Sequence, residues 1–336
     1  MEIIEWNLGE LRREWPIPEP WSLRSITHGI NNLTHLVNTS AGNYILRAYA
    51  SDRSLDSIRY ELSVLIILQK KNLPFQIPAP IPTATGKLFA VLSGTIVTLS
   101  TWLSGSTPQG DNLEQAYAAG QALAELGKAL ADIQVDTTGQ IEPFPLSGDF
   151  EDWAGIAAAS VNFMIQELPL KEKEQEEIIT LLEKTQALAP FLYRTLPQQV
   201  IHRDYDQSNI LMEGNSVTGV LDFEFSGPDL RILDLAYALS QWPSGLWHTG
   251  KEWSVIDAFA QGYLQRQMVT FDELEMLPLI FRLRATTSLF FRLGRYTRGL
   301  ETSESTLEYI HEALNNEFWL RVHEEGLMSH IRSWYQ

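Results

Sequence analysis

The sequence predicts an α+β protein of two lobes, a small β-rich first lobe with one helix and then a larger, mainly helical lobe. Three observations carry this expectation. Short apolar runs bounded by turn residues fill the chain from Trp21 to Leu103. From residue 111 onward, long stretches rich in Ala, Leu, Glu and Lys take a helical period. A brief strand-rich piece at residues 199–225 interrupts those helices. The shift near residue 103 sets the expected boundary, with lobes at 1–102 and 103–336.

The elements follow in order. Residues 1–20 hold Pro16, Pro18 and Pro20 and read as a short helical or irregular lead-in. Strands are expected at Trp21–Thr27, Leu33–Asn38 and Tyr44–Tyr49, with the turn-forming run Thr39–Asn43 closing a hairpin between the last two. From Ser54 to about Lys71, apolar residues at Ile58, Leu62, Leu65, Ile66 and Leu68 make a helical stripe, with Ser54 as its N-cap. Pro74, Pro78, Pro80 and Pro82 hold the next stretch extended. Strands Leu88–Leu92 and Thr95–Leu103 are joined at Ser93-Gly94. Helices are then expected at 111–134, 151–167 and 171–189, and again from about residue 229 to the end.

Composition removes several function classes. The 336 residues include no cysteine, which excludes disulfides, thiolate zinc sites and cysteine nucleophiles. No apolar run reaches the roughly 18 residues of a membrane span, and the acidic, polar N-terminus is unlike a signal peptide. A cytoplasmic location with no membrane partner is expected. Forty-two acids against 25 bases leave a net charge of −17, which repels phosphate backbones and argues against nucleic acid as a partner. Thr85-Gly86-Lys87-Leu88 is a turn and not a phosphate loop, because Leu replaces the needed hydroxyl residue and Ile81 stands at the first glycine position. The histidines show no zinc-ligand spacing.

The chemistry lies in the strand-rich piece. Ile201-His-Arg-Asp204-Tyr-Asp-Gln-Ser-Asn209 and Gly219-Val-Leu-Asp222-Phe-Glu are each a polar loop beside an apolar strand. An Asp alone in such a loop is ordinarily a turn or cap residue. Asp204, Asn209 and Asp222 in this spacing make a hard-oxygen site of the type that binds Mg²⁺. Phosphoryl transfer needs such an ion, together with a carboxylate that orients the attacking hydroxyl.

His202-x-Asp204-x-x-x-x-Asn209, followed by an apolar pair and Asp222-Phe, resembles the protein-kinase-like signature. Asp222-Phe-Glu224 with Asp234-Leu-Ala downstream resembles the aminoglycoside phosphotransferase and choline kinase superfamily. The first lobe and the stretch Phe259–Tyr296 are most similar to type II homoserine kinases. The resemblance implies a two-lobe protein-kinase-like fold with a small antiparallel sheet in the first lobe. It implies ATP and Mg²⁺ as cofactors and a small-molecule hydroxyl as acceptor, homoserine or a similar amino alcohol first. Aminoglycosides, choline and sugars are the alternatives within the superfamily. A protein kinase or a nucleotide-binding pseudokinase are the alternatives outside it. The eleven residues between Asp222 and Asp234 leave no room for a protein-kinase activation segment.

The resemblance also assigns roles. Asp204 is expected as the catalytic base, with Asn209 and Asp222 on the metal. Arg47 is expected at the nucleotide phosphates, paired with Glu61. Gly29, Asn31, Asn32 and Thr34 belong to the loop that covers the phosphates, and Thr101 and Leu103 meet adenine through their backbone. His202 and Asp234 are expected to brace the catalytic loop. The roles of Glu224 and of Arg282, Arg284 and Arg292 stay open, as does the oligomeric state.

Overall fold

A computed structural model describes residues 6–26, 32–133, 141, 143–243 and 245–335. Helix α1 (Leu8–Glu14) begins at Asn7, whose Oδ1 accepts from the amides of Gly9 (3.0 Å) and Glu10 (3.3 Å). Strands β1 (Ser22–Ile26), β2 (Leu33–Thr39) and β3 (Gly42–Ala48) follow, then helix α2 (Leu55–Leu68), then β4 (Ala90–Leu92) and β5 (Thr95–Thr101). The strands form one antiparallel sheet in the order β1-β2-β3-β5-β4. Alternation puts Val37, Leu46, Val97 and Leu99 on one face, where Leu11 and Trp15 cover them.

Helix α2 joins the two halves of the molecule. Ser54 caps it, its Oγ accepting from Ser57 N at 3.0 Å. Ile58 and Leu62 pack with Tyr49 on the sheet, while Tyr60, Val64, Leu65 and Leu68 enter the large core of the C-terminal region. Glu61 therefore sits on an element held from both sides.

The C-terminal region contains α3 (Leu113–Ala131), α4 (Phe150–Ala154), α5 (Ala158–Glu167) and α6 (Glu172–Thr195). Strands β6 (Gln198–Ile201), β7 (Ile210–Glu213), β8 (Ser216–Val220) and β9 (Gly227–Leu230) come next. Helices α7 (Leu233–Gln241), α8 (Glu252–Arg266), α9 (Phe271–Glu275), α10 (Leu277–Thr297) and α11 (Ser303–Tyr335) complete it. Helices α3 and α8 cross with their backbones almost touching. A Cβ at Gly120 would fall 2.1 Å from the carbonyl oxygen of Phe259, and one at Gly262 would fall 2.0 Å from that of Tyr117. Only glycine fits at either position. Among the described residues, no helix is long and apolar enough to cross a membrane.

Three expectations need correction. The helix foreseen at 151–167 is two helices, because Gly155 takes a left-handed φ of 66° and ends α4. Helix α6 continues past residue 189 through Pro190, held by the buried faces of Ala189 and Leu192 on either side. Asp229 and Leu230 are strand where helix was foreseen from about residue 229, since Gly227–Leu230 completes the ladder with β6.

The two short ladders place the chemistry. β6 pairs with β9, bringing Ile201 opposite Gly227, and β7 pairs with β8, bringing Ile210 opposite Val220. Loop 202–209 and loop 221–226 therefore emerge together at one edge, facing the sheet of the first lobe.

Candidate active site

Loop 202–209 is fixed from beneath. The amides of His202 and Arg203 donate to the carboxylate of Asp234, in the first turn of α7, at 2.8 and 2.7 Å. His202 is fully buried. Its Nδ1 accepts from Asp204 N (3.2 Å), so Nε2 carries the proton and donates to the carbonyl of Leu221 (2.9 Å). Burial holds this imidazole below its ordinary pKa and keeps it neutral, as an acceptor at Nδ1 must be. One ring thereby ties the two loops together. Arg203, at a left-handed φ of 67°, sends its side chain away to Asp229 (Nε to Oδ2, 2.8 Å). Asp234→Ala should leave two buried N–H donors unpaired and cost about 2–5 kcal/mol of stability. Chemical denaturation measures this, and a loss under about 1 kcal/mol would show that the loop stands without Asp234.

Asp204 and Asn209 face each other across the loop. Asn209 Nδ2 donates to the backbone oxygen of Asp204 (2.8 Å) and to its Oδ2 (3.1 Å). The other carboxylate oxygen accepts from the Tyr237 hydroxyl at 3.0 Å, and that hydroxyl lies 3.4 Å from Asp206 Oδ2. Burial, reinforced by the charges of Asp206 and Asp222, pushes Asp204 up to about 7. The guanidinium of Arg284 and the Tyr237 hydrogen bond oppose that rise. The carboxyl thus titrates near neutrality, the range in which a general base works best.

Asp222 lies across the gap at a left-handed φ of 58°, where β8 gives way to the second loop. Arg47 on β3 donates through Nη2 to Asp222 Oδ1 (2.9 Å) and through Nη1 to Glu61 Oε1 (3.1 Å). Burial works to raise Asp222, but the charge and hydrogen bond of Arg47 hold it below its ordinary range. Burial drives Glu61 the other way, to about 7, despite Arg47 and Arg53. Arg53 is a second cation on this network. It reaches Glu61 Oε2 at 3.5 Å and donates from both terminal nitrogens to the backbone oxygen of Glu224 at 3.1 Å.

The Asn32 amide is committed to the protein. Its Nδ2 donates to the Glu224 carboxylate and its Oδ1 accepts from Ala50 N (3.3 Å), so it ties the start of β2 to the second loop and to the end of β3. Thr34 pairs across the ladder with Arg47 and lines the cleft. Gly29 and Asn31 lie outside the described residues. Thr101 and Leu103 stand at the far end of the cleft, where β5 leaves the sheet. A Cβ at Gly219 would come within 3.2 Å of Leu103 Cδ1, so the glycine seats Leu103 against β8.

Asp204, Asn209, Asp222, Arg47, Glu61 and Tyr237 line one cavity of about 1140 Å³ between the sheet and the helices, with Thr34, Thr101 and Leu103. Its donor set suits Mg²⁺. Asn209 turns its Nδ2 toward Asp204, which leaves Oδ1 for a cation, and Asp222 adds a carboxylate. Among the described residues no cluster of three or more His, Cys, Asp or Glu could cage a metal. Two hard oxygens with room for phosphate are what a magnesium–nucleotide complex requires.

The structure brings Asp204 and Asn209 into contact, and likewise Arg47, Glu61 and Asp222. Sequence reasoning missed two residues. Tyr237 had a signal, since it lies three residues after Asp234 on the same helix face. Arg53, in the turn before α2, had none.

The profile of the phosphotransferase enzyme family matches residues 22–279. A homoserine kinase of Rhodopseudomonas palustris (strain BisB18) is 27% identical over 329 residues, covering 96% of this chain and 93% of the relative. A homoserine kinase of Zymomonas mobilis is 29% identical over 223 residues, 66% of this chain and 65% of its own. Among solved structures, an amicoumacin kinase in complex with AMP-PNP and Ca²⁺ superposes with a TM-score of 0.68 at 15% identity, covering 91% of each chain. A microcompartment-associated aminopropanol kinase superposes at 0.66 and 18% identity, covering 95% of this chain and 97% of its own.

Proposed function

We propose that this chain, which belongs to the phosphotransferase enzyme family and is a small-molecule kinase, moves the γ-phosphoryl group of Mg-ATP to a hydroxyl of homoserine or a similar amino alcohol. The observation that carries the reading is the convergence of Asp204, Asn209 and Asp222 on one cavity that also holds Arg47. The whole-length similarity to homoserine kinases supports the acceptor class.

In this reading residues 1–102 bind the nucleotide and residues 103–336 supply the catalytic loop and the acceptor site. Adenine lies against the backbone of Thr101 and Leu103. Arg47, oriented by Glu61, meets the α- and β-phosphates, beneath a cover to which Gly29, Asn31 and Thr34 contribute. Asn209 and Asp222 would hold Mg²⁺, which when bound neutralises phosphate charge. Asp204 accepts the hydroxyl proton, and Tyr237 and Asn209 fix the direction of its carboxylate. Most of the rate then comes from positioning and charge complementarity.

Two measurements test this. ADP release from Mg-ATP is followed against homoserine, choline, ethanolamine, methylthioribose, a fructosamine and several aminoglycosides. Homoserine or another small amino alcohol should stimulate release, and a hit confined to an aminoglycoside would overturn the acceptor assignment. The second is a pH profile of kcat/KM, which reports the free enzyme. Asp204 must be ionised to act, and its raised pKa of about 7 sets the limb. Activity should be full above roughly pH 8 and fall about tenfold per unit below pH 7. A profile flat from pH 5 to pH 8 would remove Asp204 as the base.

A further inference from the structure

Helix α10 carries four arginines, and three have carboxylate partners. Arg282 reaches Glu317 at 2.7 Å and Glu324 at 3.1 Å. Arg292 reaches Glu301 at 2.8 Å, and Arg295 reaches the same residue at 3.4 Å. Arg284 differs. Among the described residues no carboxylate lies within hydrogen-bonding distance of it, the nearest being Asp204 Oδ1 at 3.9 Å. Its position is nonetheless fixed. The guanidinium stacks 4.2 Å above the Tyr237 ring, Nη2 donates to the backbone oxygen of Arg203 (3.3 Å), and Nη1 donates to Ser288. The Nε is buried and makes no hydrogen bond. One tyrosine therefore supports both groups, Asp204 through its hydroxyl and Arg284 through its face.

The catalytic loop has no cation of its own to offer. His202 is neutral and buried, Arg203 is turned away onto Asp229, and Asp204 and Asp206 are acids. Arg47 stands on the nucleotide side, engaged with Glu61 and Asp222. A phosphoryl group in transfer spreads negative charge over three equatorial oxygens, and it does so beside the attacking hydroxyl, hence beside Asp204.

We infer that Arg284 is the cation on the acceptor side of the transferring phosphoryl group, a catalytic residue supplied by helix α10 in place of one from the loop. The inference rests on the reading of Asp204 as the base. In the step, the acceptor hydroxyl gives its proton to Asp204 and its oxygen forms a bond to the γ-phosphorus. The bond from that phosphorus to the bridging oxygen breaks, and ADP leaves with the electron pair. Arg284 donates an N–H to an equatorial oxygen while its plane stays stacked on Tyr237. Lysine can supply the charge but neither the stack nor the fork.

The test compares Arg284→Met and Arg284→Lys with wild type on whichever acceptor wild type phosphorylates. Steady-state kcat and KM are measured alongside the affinities for Mg-ADP and for Mg-ADP with aluminium fluoride, a mimic of the phosphoryl in flight, without acceptor. Expected are a fall in kcat of roughly 10²–10³ in the Met variant, a smaller fall in the Lys variant, and little change in acceptor KM. Affinity for Mg-ADP stays at the wild-type level, and affinity for the fluoride complex falls with kcat. A rise in acceptor KM with kcat and fluoride affinity intact would overturn the inference and make Arg284 a holder of an acceptor carboxylate. Unchanged behaviour in both variants would overturn it as well. Should the Met variant not fold, the Lys variant decides through the fluoride comparison. Asp204→Asn runs in parallel. If it is silent and the Arg284 variants are active, the inference alone fails, and if it is active, the reading of the base fails first.

Discussion

Asp204→Asn should lower kcat by roughly 10²–10⁴ while leaving nucleotide affinity within about threefold of wild type. The substitution keeps the shape of the side chain and removes only its charge and basicity. The Tyr237 hydroxyl can still donate to the remaining carbonyl oxygen, and Asn209 keeps its bond to the backbone oxygen of residue 204. Nothing in the proposed nucleotide cradle of Arg47, Thr101 and Leu103 depends on this carboxylate. The same variant carries a stability signature. The folded-state pKa of Asp204 is raised to about 7, so its contribution to stability is present at low pH and is lost as pH rises through 7. At pH 8 the free enzyme holds a partly buried, ionised carboxylate that the amide replaces at no charge cost. The Asn variant should therefore melt at or above the wild-type temperature at pH 8, with a smaller advantage at pH 5. Wild-type turnover in this variant would remove Asp204 from the chemistry. A strong fall in melting temperature at pH 8 would make it a structural residue.

Asp222→Ala should abolish the dependence of nucleotide affinity on Mg²⁺. Asp222 is the one carboxylate of the proposed metal site, and Arg47 keeps it ionised by holding Oδ1 at 2.9 Å. Removing it leaves Asn209 as a single neutral oxygen, too weak a donor set for a hard divalent cation. Arg47 loses one of two partners but keeps Glu61 at 3.1 Å, so the β3–α2 pairing survives and metal-free nucleotide should still bind weakly. Calorimetric titration of ATP with and without Mg²⁺ reads the difference. In wild type the two isotherms should diverge, and in the variant they should coincide. Undiminished Mg²⁺ dependence in the variant would place the metal elsewhere.

The fold was legible where the chain states its own period. The strands of the first lobe, the hairpin at 39–43 and the Ser54-capped helix follow from alternation, turn residues and a capping hydroxyl, all local signals. Errors arose where a tertiary contact overrode a local one. The helix foreseen to end at 189 continues through Pro190, with Ala189 and Leu192 buried in the core. Helix was foreseen from about residue 229, yet Asp229 and Leu230 belong to a strand because β6 lies beside them. The site divides in the same way. Asp204, Asn209 and Asp222 share a short stretch of sequence, so their convergence was readable from spacing. Arg53, Tyr237 and Arg284 come from a turn and two helices, and only the packing of α7 and α10 against the loop brings the latter two to Asp204. Asn32 has the composition of a phosphate-covering residue, but its amide is engaged by Glu224 and Ala50.

The most direct test of phosphoryl transfer to a small alcohol is ³¹P NMR of wild-type enzyme with ATP, Mg²⁺ and homoserine, or whichever amino alcohol stimulates ADP release. A new phosphate monoester resonance should grow in step with ADP, require Mg²⁺, and be missing from the Asp204→Asn reaction. Loss of the γ-phosphate resonance to inorganic phosphate alone, at the same rate with and without the alcohol, would contradict it.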